Sequence, residues 1–181
     1  NKNYLANFDA VVWLSTTWDV LNAEQETAFQ QYIEAGGGYV GIHAASDTEY
    51  DWPWYGETLL GTRFKDHPNF PNIREADVII EEADHPATAG LPSVWTRADE
   101  WYNFIESPRK NSNITVLASL DESSYDAGVG AMGDHPIIWY QTIGEGRALY
   151  SGLGHTPESF QDPVYLQHLV GAISWAGGLV D

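Results

Sequence analysis

Residues 8–43 read FDAVVWLSTTWDVLNAEQETAFQQYIEAGGGYVGIH, and this stretch decides the fold. Phe8-Asp9-Ala10-Val11-Val12-Trp13-Leu14 is a short apolar run with β-branched residues, the pattern of a buried strand. Asn22 is suited to cap a helix, and Glu24, Gln25 and Glu26 fill the first turn, where the helix dipole favours acids. Ala28, Phe29, Tyr32 and Ile33 recur at helical spacing, and Gly36-Gly37-Gly38 ends the helix. Tyr39-Val40-Gly41-Ile42 is a second apolar strand. Strand, helix and strand within about 35 residues have the size of a parallel βαβ unit. Continuous apolar strands of this kind are covered on both faces.

Further along, the signals thin out. Residues 46–71 are irregular and aromatic, with Trp52-Pro53-Trp54-Tyr55 leading into a short helix that ends near Leu60. Val78-Ile79-Ile80 and Thr115-Val116-Leu117-Ala118 read as strands. Ile137–Tyr140 and Arg147–Tyr150 flank Gly144-Glu145-Gly146, a hairpin signal. A C-terminal helix from about Val164 to Ala176 is expected to bury Leu166, Leu169, Val170 and Ile173. No repeat, low-complexity tract or interior boundary divides residues 1–181, so one domain is expected.

The chain has 181 residues, 43% of them hydrophobic, which suits a packed core. Eight Lys and Arg against 26 Asp and Glu give a net charge of −18. Phosphate backbones and anionic membrane surfaces would be repelled, so neither nucleic acid nor membrane is an expected partner. No apolar run approaches the ~20 residues of a membrane span. Without cysteine there is no disulfide, zinc–thiolate site or Cys nucleophile. The first residue is Asn1 rather than Met, the pattern of a mature or excised piece that other domains could accompany. Strong acidity with eight Trp and ten Tyr suits a secreted or periplasmic carbohydrate-active protein, by association only.

Among six histidines, two stand out by position. His43 follows the strand Tyr39–Ile42 at its carboxyl end, where ligand sites of open parallel sheets lie. His155 sits in Gly152-Leu153-Gly154-His155, whose glycines allow tight turns and close approach. His85-Pro86 shapes a turn; His135 and His168 read as surface or helix residues.

The segment Gly36-Gly37-Gly38-Tyr39-Val40-Gly41-Ile42-His43-Ala44-Ala45 resembles the hallmark of the trehalose-utilisation (ThuA-like) family. His85-Pro86 with Gly90-Leu91-Pro92, then Asp99-Glu100-Trp101-Tyr102, then Gly146-Arg147 through Gly154-His155-Thr156, follow in that family's order. The resemblance implies a class I glutamine amidotransferase-like, flavodoxin-like α/β fold: a mostly parallel sheet with helices on both faces, here with a late β-hairpin. It also implies that the family's opening strand and helix lie before this segment, so that the chain is the later part of a longer family domain. Gly41-Ile42-His43 falls where amidotransferases carry a Gly-Ile-Cys elbow, and His155-Thr156-Pro157-Glu158 resembles their late His-Pro-Glu. Histidine stands in place of the nucleophilic Cys, so glutamine hydrolysis by a thiolate is excluded.

On this resemblance His43, Glu100 and His155 form the expected catalytic set, converging over the carboxyl edge of the sheet. A His and a Glu can serve as base and acid near neutral pH. Asp47, Tyr102 and Arg147 would contact a hydroxyl-rich ligand, and Trp54, Tyr55 and Trp101 would offer platforms to sugar faces. His67, in Lys65-Asp66-His67-Pro68, is a further site candidate. His43, His67, Glu100 and His155 are also ligand types for a divalent transition metal. That is the lesser alternative, because no local motif supports it and only geometry could assemble it. The function implied is processing of a disaccharide or 3-keto sugar, with isomerisation, elimination and hydrolysis all open. The alternative is a non-catalytic carbohydrate-binding module of a larger secreted protein. A two-carboxylate glycosidase is disfavoured, since Glu100 is the one good acidic candidate.

Overall fold

A computed structural model describes residues 2–181. Helix α1 (Lys2–Leu5) precedes strand β1 (Ala10–Leu14), helix α2 (Ala23–Glu34) and strand β2 (Gly38–Ile42). A π-helical turn at Trp54–Leu60 leads to β3 (Phe64–Asp66), β4 (Ile73–Ile80), β5 (Val94–Glu100) and β6 (Asn103–Phe104). Strands β7 (Thr115–Asp121), β8 (Pro136–Ile143) and β9 (Gly146–Ser151) follow, and helix α3 (Pro163–Ala176) closes the chain. Seven strands form one sheet in the order β1-β2-β9-β8-β7-β4-β5, and β3 pairs with β6 separately.

The expected βαβ unit is present: β1 and β2 pair in parallel, and so do β2 and β9. Asn22 caps α2, its side chain accepting from the amides of Glu24 and Gln25 at 3.1 Å each. The Gln25 side-chain oxygen accepts in return from the Asn22 amide at 3.0 Å, completing a capping box of about 1 kcal/mol. The late hairpin, β8 with β9, is also present.

The expectation of a mostly parallel sheet is corrected. The four remaining pairs, β9–β8, β8–β7, β7–β4 and β4–β5, are antiparallel. A parallel pair needs a crossover of a dozen or more residues, usually a helix, whereas turns join antiparallel strands. Only α2 crosses over in this way between consecutive strands. Apolar runs such as Thr115–Ala118 report burial, not direction. Strand β1 is corrected too: it lies at the sheet edge, with Val12 40% and Leu14 54% exposed.

Helices cover both faces, as expected. On one, Tyr39 packs against Phe29 of α2, while the Trp139 indole donates to Leu60 O in the π turn. On the other, Tyr140 meets Trp175 of α3. Each of the fully buried large side chains contributes roughly 1.5–3 kcal/mol of transfer free energy. Helix α3 does not bury the expected aliphatic stripe. Its buried residues are Tyr165, His168, Ala172, Trp175 and Ala176, while Leu166, Val170 and Ile173 are exposed. Close approach selects this face: a Cβ at Gly171 would sit 2.0 Å from Pro86 O.

Candidate functional site

Strand β2 delivers His43 at its carboxyl end with the backbone at φ 49°, in the left-handed region. Such a conformation costs a non-glycine residue roughly 1–2 kcal/mol and turns the chain sharply out of the strand. The ring is buried, and its Nδ1 lies 3.0 Å from Gly152 O. A carbonyl can only accept, so Nδ1 carries the proton, and a neutral ring turns the lone pair of Nε2 inward.

The loop after β9 delivers His155. Gly154 takes φ 104°, and a Cβ there would stand 2.1 Å from the Tyr165 hydroxyl, so glycine is required. Buried Asp99 fixes this loop by accepting from the amides of Gly154 at 2.8 Å and His155 at 2.9 Å. Arg97 pairs with Asp99 at 2.9 Å.

Strand order alone would leave Glu100 five places from His43. The β4–β5 hairpin closes the distance. Its pairing runs from Ile73 opposite Glu100 to Ile79 opposite Val94, but β4 meets β7 only over Asp77–Ile80. The remaining arm reaches the loop after β9, where Asp99 and Glu100 arrive together.

Glu100 Oε2 lies 3.3 Å from His43 Nε2 and 3.0 Å from His155 Nδ1, and those two ring nitrogens are 3.0 Å apart. Glu100 Oε1 accepts from Asn72 at 2.7 Å and faces His67 Nε2 at 3.7 Å. Burial pushes the Glu100 carboxyl up, but its contacts with His43 and Asn72 and the nearness of His155 and His67 outweigh it, holding it at about 2. Glu100 is therefore a carboxylate throughout the physiological range. The cluster opens to solvent through His155, whose side chain is 39% exposed, and His67, at 24%.

Tyr102 forms one wall, its ring centroid 4.2 Å from that of His43 and stacked on His67 at 5.8 Å. Burial raises the Tyr102 phenol above its ordinary range, with Glu100 and Asp47 adding to it, so it stays a donor. Asp47 accepts from Tyr50 and stands near enough to act on Tyr102.

Four aromatic and basic candidates lie elsewhere. Tyr55 is fully buried, donating to Ala45 O, and is closed to any ligand. Trp101 is fully buried and donates its indole N–H to Arg74 O. Trp54 is half-buried and stacks on Trp52 at 5.1 Å. Arg147, the second residue of β9, lies at the end of the strand away from His155 and donates to the carbonyls of Trp175 and Val180. Asn72 and Asp99 are positioning residues; the sequence offers Asp99 only within the Asp99–Tyr102 segment and does not single out Asn72. For Asp99 the period-two pairing with Arg97 along β5 was a usable signal; for Asn72 there was none. His135, read as a surface or helix residue, is corrected to the interior at 1% exposed, and His168 lies in helix α3 as expected but on its buried face, at 0%.

A mixed seven-stranded sheet with helices on both faces defines an α/β fold. A Thermoplasma acidophilum protein described as part of a GMP synthase has this fold: TM-score 0.60 and 13% identity over 98% of this chain and 77% of that one. The chain belongs to the ThuA family, described as trehalose utilisation, whose model matches residues 1–176. A ThuA-like protein from Bacteroides uniformis superposes with TM-score 0.82 and 32% identity over 97% of this chain and 71% of that one. Another from Parabacteroides merdae gives TM-score 0.73 and 21% identity over 96% and 71%. No curated protein matches the chain.

Proposed function

We propose that this domain processes a disaccharide or a 3-keto sugar by His/Glu acid–base chemistry at the His43–Glu100–His155 cluster. Membership of the trehalose-utilisation family supports the carbohydrate class. The observation that carries the reaction type is the contact of Glu100 Oε2 with His155 Nδ1 at 3.0 Å. A carboxylate there holds the Nδ1–H tautomer and turns the lone pair of Nε2 outward, as a base requires. His155 Nε2 takes a proton from the carbon beside a sugar carbonyl, and Glu100 stabilises the imidazolium formed. The same imidazolium returns the proton to oxygen or carbon, which covers isomerisation or elimination. Tyr102 and Asp47 then bracket the hydroxyls, as a donor and an acceptor.

The test is proton NMR in D2O with a disaccharide and its 3-keto derivative. Deuterium is expected to enter beside the carbonyl of the keto sugar, with turnover lost in His155→Ala. Sugar binding without exchange or turnover would overturn the catalytic reading in favour of a carbohydrate-binding module.

A further inference from the structure

We infer that His43 Nε2, His155 Nδ1 and Glu100 Oε2 form a binding site for one divalent transition cation. The three atoms are mutually 3.0, 3.0 and 3.3 Å apart. Ligand bonds of about 2.1 Å require neighbouring donors about 3.0 Å apart around an octahedral ion and about 3.4 Å around a tetrahedral one. The cluster therefore has the edge lengths of one face of a coordination shell before any adjustment.

The orientation of the rings is the second observation. His43 gives its Nδ1 to the Gly152 carbonyl at 3.0 Å, and His67 gives its Nδ1 to the Pro68 carbonyl at 3.0 Å. Each is thereby set with Nε2 unprotonated and facing Glu100. Metal-ligating histidines are held in this way, the distal N–H spent on a carbonyl. Asn72 occupies Glu100 Oε1 and leaves Oε2 to the two rings. Without a cation, the lone pair of His43 Nε2 and the Glu100 carboxylate both converge on His155 Nδ1, whose single proton must serve both acceptors. A dication answers all three.

Two imidazoles and one carboxylate suit zinc, manganese, iron, cobalt or nickel; calcium and magnesium prefer all-oxygen shells. Three ligands on one face leave the positions opposite open to water or to vicinal sugar oxygens, reached past the exposed side of His155. A cation held there would supply Lewis acidity and would occupy His155 Nδ1, leaving His67, 3.7 Å from Glu100 Oε1, in place of His155 as the ring free to move protons. The cation site rests on the cluster geometry alone, whereas sugar as its further ligand rests on the proposed function.

The test uses tag-free protein dialysed against chelator and titrated calorimetrically with ZnCl2, MnCl2 and CaCl2 in the absence of sugar. One zinc or manganese per chain is expected, with calcium far weaker. Half-exposed His155 can be truncated without opening the core, so His155→Ala is the main variant and Glu100→Gln the second, thermal melts confirming that both fold. Each should weaken binding at least about 100-fold, beyond the ~10–100-fold that loss of an orienting partner costs. No binding below millimolar metal, or unchanged binding in folded His155→Ala, would overturn the inference. Exchange into the keto sugar by chelated protein would then leave the proton reading standing. Stoichiometric metal without sugar exchange or turnover would leave the metal site standing and remove the catalytic one.

Discussion

His43, His67 and His155 share one carboxylate, whereas His85, His135 and His168 each have partners of their own. His168 is fully buried, with Nδ1 2.8 Å from Ala87 O and Nε2 3.0 Å from Ser151 Oγ. His135 spans Glu122 at 2.9 Å and the Tyr102 carbonyl at 2.9 Å. His85 accepts from the Ala87 amide at 3.1 Å and packs between Tyr140 and Trp175. In this second trio His135 and His168 spend both nitrogens on joining segments, and His85 spends one nitrogen on its own turn and its ring faces on packing. In the first, nitrogens converge and two rings, His155 and His67, stay open to water. Residue type does not separate the two groups; where the lone pairs go does.

The sharpest way to break the comparison is Glu100→Gln. The amide keeps the shape and removes the charge that organises the first trio. Activity on the keto sugar should fall by about 10²–10⁴-fold, the usual contribution of a positioned acid–base group. The melting temperature should fall as well, because the amide forfeits the stability that the paired carboxylate contributes above pH 4.5. Retained activity within threefold, measured as kcat/KM, would mean that the shared carboxylate has no more functional weight than Glu122 beside His135.

pH separates the trios by stability. Burial lowers His168 from 6.5 to about 4, and burial with the Arg147 charge lowers His85 to about 4. Between pH 6.5 and 4 the unfolded chain binds protons that the folded one refuses, so stability is lost as pH falls through that window. For His168 a fall from 6.5 to about 4 corresponds to about 3 kcal/mol. Glu100 acts lower: its stabilising share is present above 4.5 and lost as pH falls toward 2. Urea unfolding at a series of pH values should show the first loss in the wild type and a shallower slope in His168→Gln. An unchanged slope in that variant would show that His168 is not the titrating group.

How far the sequence announced these groups follows from what a linear pattern can encode. The cap at Asn22, the buried run of β2 and the β8–β9 turn are local, set by neighbours within a few residues, and they were legible. So was the meeting of His43 with His155, because both follow strand ends that pair in parallel, Ile42 opposite Ser151. Strand direction was not legible, since an apolar run buries equally well either way. Nor was the route of Glu100, which depends on the β4–β5 arm outrunning its pairing with β7. The burial of His135 and His168 escaped because a polar ring carries no sign of its partners, and those partners lie far along the chain. The aromatic candidates misled for the converse reason: Tyr55 and Trp101 have the chemistry of sugar platforms, but their polar atoms bond inward to Ala45 O and Arg74 O.

The smallest expected effect sharpens the boundary of the site. Arg147 lies at the amino end of β9, opposite Gly38, about 13 Å along the strand from Ser151. Its guanidinium donates to Trp175 O at 3.0 Å and Val180 O at 2.9 Å, meets Asp181 at 3.2 Å, and lies over the Trp175 ring at 5.5 Å. These bonds tie the end of α3 to the sheet and point away from Glu100. Asp181 is fully exposed, so that pair adds little. The two carbonyls and the ring face account for about 1 kcal/mol of stability. Arg147→Ala should therefore lower the urea midpoint modestly and leave kcat/KM within about twofold, the two measured on the same preparation. A cleft of 610 Å³ lined by Phe8, Asp9, Tyr32, Gly36 and Gly177 lies near this same end of the sheet. A tenfold loss of activity with an unshifted midpoint would move the sugar to that cleft and reduce the histidine–carboxylate cluster to a metal or structural role.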